Sequence, residues 1–89
     1  MTDLLQARPV RAVGVPVEKG PEGAVLSPAA SPPVVMNPTA LALWELCDGQ
    51  TAVSEMVGAV SRLFGLDVDT ARTDVESALE DMLATGLIR

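Results

Sequence analysis

The chain has 89 residues, 48% of them hydrophobic, with a net charge of −6 and a pI near 4.3. That length holds one domain with a thin core, and that apolar content excludes a wholly disordered chain. The acidic balance repels a polyphosphate partner and argues against nucleic acid, while no stretch approaches the roughly 20 apolar residues of a membrane span.

One Trp, one Phe and no Tyr make the core aliphatic. A single cysteine permits no internal disulfide and fits a reducing compartment. No basic-then-apolar signal pattern opens the chain, so it reads as cytoplasmic. Residues 1–9 carry no clear period and read as a flexible N-terminus, with the domain proper spanning residues 10–89. From residue 10 to 17 the chain alternates: Val13, Val15 and Val17 point one way, Ala12, Gly14 and Pro16 the other, which predicts a first strand with one buried face. The polar EKGPEG of residues 18–23 predicts a turn. Residues 24–27 predict a second strand that closes a hairpin.

The PAASPP of residues 28–33 is a stiff connector. Val34, Val35 and Met36 follow it, too few for a helix, and predict a third strand at the edge of the sheet. Residues 37–49, NPTALALWELCDG, predict the first helix. Asn37 caps it, Pro38 fills a first-turn position that needs no N–H, and Asp48-Gly49 stops it. Trp44 is the large side chain at the junction with the next helix. That helix spans residues 51–64, capped by Thr51, with Val53, Met56, Val57, Val60, Leu63 and Phe64 on one face. The third helix is capped by Asp67 or Asp69. Its apolar stripe is Ala71, Val75, Ala78, Leu79, Met82 and Leu83, its wet side Arg72, Asp74, Glu76, Glu80 and Asp81. Gly86 ends it, and Leu87-Ile88 fold back on the core. The predicted class is α+β: a three-stranded antiparallel sheet followed by three helices.

Catalytic chemistry finds little to work with. There is no histidine, so imidazole-based metal sites and general-base schemes are excluded. Cys47 lacks a histidine partner and falls on an apolar helix face, where cysteine fills space. The carboxylate pairs Asp67/Asp69 and Glu80/Asp81 sit at a cap and on a solvated face, not in a shielded cleft. The scattered glycines form no phosphate loop. The expectation is a protein that is not an enzyme, with no catalytic residue, metal or cofactor. The surface that remains informative is the third strand's edge, whose unpaired backbone groups an extended peptide can extend, with the third helix as the other wall of a groove.

The run Asn-x-Thr-Ala-x-x-x-Trp-x-Leu-x-Asp-Gly-x-x-x-Val-x-Glu-Met-Val, residues 37–57, resembles the PqqD-like family. So does the closing Asp74-Val75, Leu79, Met82-Leu83 and Gly86-Leu87-Ile88. That family comprises peptide recognition elements of ribosomally made, post-translationally modified peptide pathways, among them pyrroloquinoline quinone synthesis and lasso-peptide maturation. The resemblance implies a winged-helix-like fold. It implies an adaptor that captures a precursor's leader segment antiparallel to the third strand and presents it to a separate maturation enzyme, such as a radical enzyme, a cyclase or a leader peptidase. Carried over by position, the peptide contacts are Val34, Val35 and Met36, with Arg72, Val75, Glu76, Leu79 and Leu83 from the third helix. Pro32 and Pro33 have no N–H, which shortens the pairing stretch to about three residues.

Two other readings use the same elements. A winged-helix DNA-binding regulator needs Lys and Arg on its recognition helix and wing, yet the third helix carries Arg72 against four acids and the turn one lysine against two glutamates. A non-catalytic scaffold or dimerisation domain would use the strand edge to pair with itself.

Overall fold

The computed structural model describes residues 4–89. After a short 3-10 turn, Leu4–Gln6, come strands β1 (Val17–Gly20), β2 (Gly23–Leu26) and β3 (Val34–Met36), then helices α1 (Pro38–Glu45), α2 (Val53–Phe64) and α3 (Val68–Ala84). The strands form one antiparallel sheet in the order β1-β2-β3, so the α+β description of three strands followed by three helices holds.

The first strand lies later in the chain than the alternation predicts. Of residues 10–17 only Val17 belongs to a strand, and the backbone groups of residues 10–12 bond elsewhere. Gly49 N–H donates to Pro9 O (3.0 Å), Arg11 N–H to Cys47 O (2.8 Å), Ala12 N–H to Leu87 O (2.9 Å) and Arg89 N–H to Val10 O (2.9 Å). This segment is a strap between the α1–α2 junction and the C-terminus. Val13, expected inside, is 85% exposed, since the chain turns there with Gly14 at φ 75°. Earlier still, Leu5 packs on the core and Val53 N–H donates to Ala7 O (2.9 Å); residues 1–3 of the expected loose terminus lie outside the described residues. β1 then occupies the first half of the predicted turn, which shrinks to Pro21 and Glu22 between the paired Gly20 and Gly23.

α1 begins as predicted: the Asn37 side chain accepts Ala40 N–H (2.8 Å) and Pro38 opens the first turn. It ends at Glu45, before the expected Asp48-Gly49 stop. Asp48 instead organises the link to α2, accepting Gln50 N–H and Thr51 N–H (2.8 Å each) and the Thr51 hydroxyl (3.1 Å). Thr51 is therefore consumed in that turn and does not cap α2. The N-cap is Ala52, whose N–H donates to the Glu55 carboxylate (3.3 Å).

The core is drawn from all layers: Leu26 and Met36 of the sheet, Leu43 and Trp44 of α1, Val53, Met56 and Val57 of α2, Val75, Leu79 and Met82 of α3, and Leu87 and Ile88 folded back as expected. Trp44 fills the junction, and its indole N–H donates to Leu87 O (3.0 Å), the partner a buried indole requires. Arg11 caps the same ring, its guanidinium 5.6 Å from the ring centroid, and donates to Glu45 O. Leu63 and Phe64, expected on the buried face of α2, are exposed, Phe64 by 52%. They sit on the last turn of α2, at a hollow whose opposite wall is Pro38, Thr39, Ala42, Leu43 and Leu46. Leu83 is 60% exposed; helical steps of 100° turn it well away from the Val75–Met82 line. Among the described residues no helix is long and apolar enough to cross a membrane.

Three outcomes follow from this packing. Gly23 has φ 134°, and a Cβ there would collide with the Met36 carbonyl oxygen; Gly23→Ala should cost about 2 kcal/mol or more of stability in urea unfolding. Burial pushes the Cys47 thiol up to about 11, against a weaker pull from Arg11, so about one thiol in a thousand is ionised at pH 8. Ellman's reagent should leave the folded protein essentially unmodified on the time scale that titrates it in urea. Asp48 and Asp67 hold backbone N–H groups that keep their carboxyls below the ordinary 3.8. Their contribution is present above that value and lost as pH falls through the folded-state pKa, so Asp48→Asn with Asp67→Asn should flatten the acid limb of a stability–pH curve below about pH 4.

Candidate functional site

β2 lies between two partners, and the backbone pattern decides what each outer strand leaves free. In an antiparallel ladder alternate residues bond to opposite sides. The Gly20–Gly23 pair closes the two-residue turn, and Ser27 N–H donates to Pro16 O (3.0 Å) at the far end. Odd-numbered β2 residues thus bond toward β1, and Ala24 and Leu26 bond toward β3. Their partners there are Met36 and Val34. Val35, between them, directs its N–H and C=O to the open side, where no described strand pairs with it. The contact of the Met36 carbonyl with Gly23 fits the same phase. β1 is the other edge, but its outward-bonding Lys19 is paired with Glu45 (3.7 Å), and a charge on an edge discourages pairing.

Beside the open side of β3 lies a cleft of about 170 Å³. Val34 and Met36 form one wall, Ala78, Asp81 and Met82 of α3 with its C-cap Thr85 the other, and Ala40 and Leu87 lie between. The connector before β3 is fastened at this end: the Ser31 hydroxyl donates to Thr85 O (3.2 Å). The Val35 side chain, 80% exposed, stands at the mouth of the cleft.

The residues anticipated from sequence divide between two places. Val34, Val35 and Met36 are at the cleft. Val75 is fully buried beneath α3. Arg72, Glu76, Leu79 and Leu83 are on the far flank of that helix: Arg72 Nε is 2.6 Å from Glu76 Oε1, and Glu76, Leu79 and Leu83 line a separate hollow of about 280 Å³ against Ala7, Pro9 and Val53. The structure does not bring these four to β3. The flank that does face β3, with Ala78, Asp81 and Thr85, was missed because a helical stripe has two edges and sequence spacing treats them alike. The available signal was side-chain size, since Ala78 and Thr85, seven residues apart on one face, leave room beside a strand.

The electrostatics bear on the other chemistries. No polar or charged residue is buried among the described residues, and none of their acids and Cys47 cluster as a metal site. Asp69, Asp74, Glu80 and Asp81 are exposed along α3, with Arg72 engaged by Glu76. That surface presents negative charge to any phosphate backbone.

A family model described as coenzyme PQQ synthesis protein D (PqqD) matches residues 22–88. Comparison with curated proteins and with solved structures gives no match. The match spans β2, β3 and all three helices, and begins after β1. It covers well over half of the chain, which therefore belongs to the PqqD family, whose members bind precursor peptides in the biosynthesis of ribosomally made, modified peptides.

Proposed function

We propose that the chain is a non-catalytic adaptor in the cytoplasm that takes the leader segment of a precursor peptide as an added strand on β3. It then holds that segment for a separate maturation enzyme, of the radical, cyclase or leader-peptidase kind. The observation that carries this reading is the outward N–H and C=O of Val35 facing a cleft whose second wall is α3. Strand addition needs unpaired backbone groups and a surface for alternate side chains, and both occur together here.

Magnitudes say where the affinity comes from. Two main-chain hydrogen bonds to Val35 contribute about 1–3 kcal/mol net, whereas micromolar binding takes about 8 kcal/mol. Apolar contact with Val34, Met36, Ala78 and Met82 supplies the larger part, at about 25 cal/mol per Å² removed from water. The contact set proposed is therefore Val34, Val35 and Met36 with Ala78, Asp81, Met82 and Thr85. Arg72, Glu76, Leu79 and Leu83 face away from the guest, and Val75 supports the helix from beneath.

The test is an NMR titration with the leader of the cognate precursor peptide. Shifts are expected at Val34–Met36, Ala78, Met82 and Thr85, and not at Arg72 or Leu83. Val35→Pro removes the outward N–H without touching the bonds to β2 and should weaken binding about tenfold or more. A titration that moves the far flank of α3, or that Val35→Pro leaves unchanged, contradicts the reading.

A further inference from the structure

We propose that the guest's track continues past Met36 over the start of α1, and that this extension selects a leader carrying a bulky apolar residue and a Lys or Arg on that side of its strand-pairing stretch. The inference rests on the reading above and adds the chemistry of the peptide.

The cleft at β3 does not end with the strand. A second hollow of about 500 Å³ shares Ala40, Ala78 and Asp81 with it, so the two form one trough. That volume is within the range of pockets that enclose small ligands, ample for a large side chain. Its apolar lining is Leu43, Val60, Leu66 and Phe64. Phe64 is the chain's one phenylalanine and stays half exposed on the core side of α2, an aromatic face left without a cover.

The rim has one sign of charge. Asp74 and Asp81 stand on the same flank of α3, seven residues or about 10 Å apart along the axis, and both line the trough. No Lys or Arg lines either hollow, and among the described residues neither aspartate is within ion-pair distance of a cation. The Asn37 side-chain oxygen at the same end is already occupied by Ala40 N–H. The complementary occupant is an extended peptide that is apolar toward Phe64 and cationic toward α3. All ladders in this sheet are antiparallel, the stronger pairing. A guest of that sense passes the Met36 end with its N-terminal residues, so the apolar and basic pair precedes the stretch that pairs with Val35.

The experiment is selection of a phage-displayed random dodecapeptide library on the full chain, followed by affinities of the enriched peptides made synthetically. Enriched sequences should place a bulky apolar residue and a Lys or Arg N-terminal to an alternating stretch. Changing that Lys or Arg to Glu should weaken binding about tenfold, with the loss largely abolished in Asp74→Asn/Asp81→Asn. Phe64→Ala should remove the preference for the bulky residue. Peptides that shift the Val35 amide and are lost in Val35→Pro, yet show no such preference or keep it in the double aspartate variant, overturn the extension and leave strand addition standing. Peptides indifferent to Val35→Pro that leave the Val35 amide unmoved overturn both. So does a dimer in sedimentation that Val35→Pro dissolves, because the edge then belongs to a second copy.

Discussion

The constraint on which the rest depends is the phase of the β2–β3 ladder. Ala24 and Leu26 face β3, and Val34 and Met36 answer them, which turns Val35 outward. Gly23 keeps that phase accessible, because only a residue without a Cβ lets the Met36 carbonyl come so close at φ 134°. A slip of one residue would exchange the buried Met36 for the exposed Val35 and put the wrong face on the core. One register thus decides both which side chain is buried and which backbone groups are left for a partner.

The second wall depends on the far end of the chain. Leu87 O accepts both the Trp44 indole N–H (3.0 Å) and Ala12 N–H (2.9 Å), and Leu87 N–H returns to Met82 O (2.9 Å). The turn after α3 is thereby tied to α1 and to the strap, and α3 is held beside β3 with Ala78 and Thr85 toward the strand. The proposed site is made of backbone and small or apolar side chains, with Asp81 as its one charged group. That suits a protein whose family binds precursor peptides, because main-chain pairing accepts varied sequences while the flanking surface sets preference.

Much of this was legible from local chemistry. The Asn37 cap, β3, the helix order and, as one of two candidates with Asp69, the Asp67 cap follow from residues whose signals act within a turn of themselves. What was not legible depended on distant partners. The alternation of residues 10–17 is real, but the N–H groups of Arg11 and Ala12 are claimed by Cys47 and Leu87, far away in sequence. Thr51 has the chemistry of a cap, and Asp48 takes it first. Phe64 and Leu63 have the spacing of core residues, yet both stay exposed on the last turn of α2. The flank of α3 beside β3 is a matter of handedness between non-adjacent elements, which spacing along one helix does not encode.

The central claim is that the free protein leaves one backbone position of β3 unpaired. Amide hydrogen exchange of the isolated chain measures it residue by residue. The account predicts that Val35 N–H exchanges nearly as fast as an exposed amide while Met36 N–H, bonded to β2, is protected. Val35 protected to the same degree as Met36 would mean that the edge is already occupied, and would contradict it.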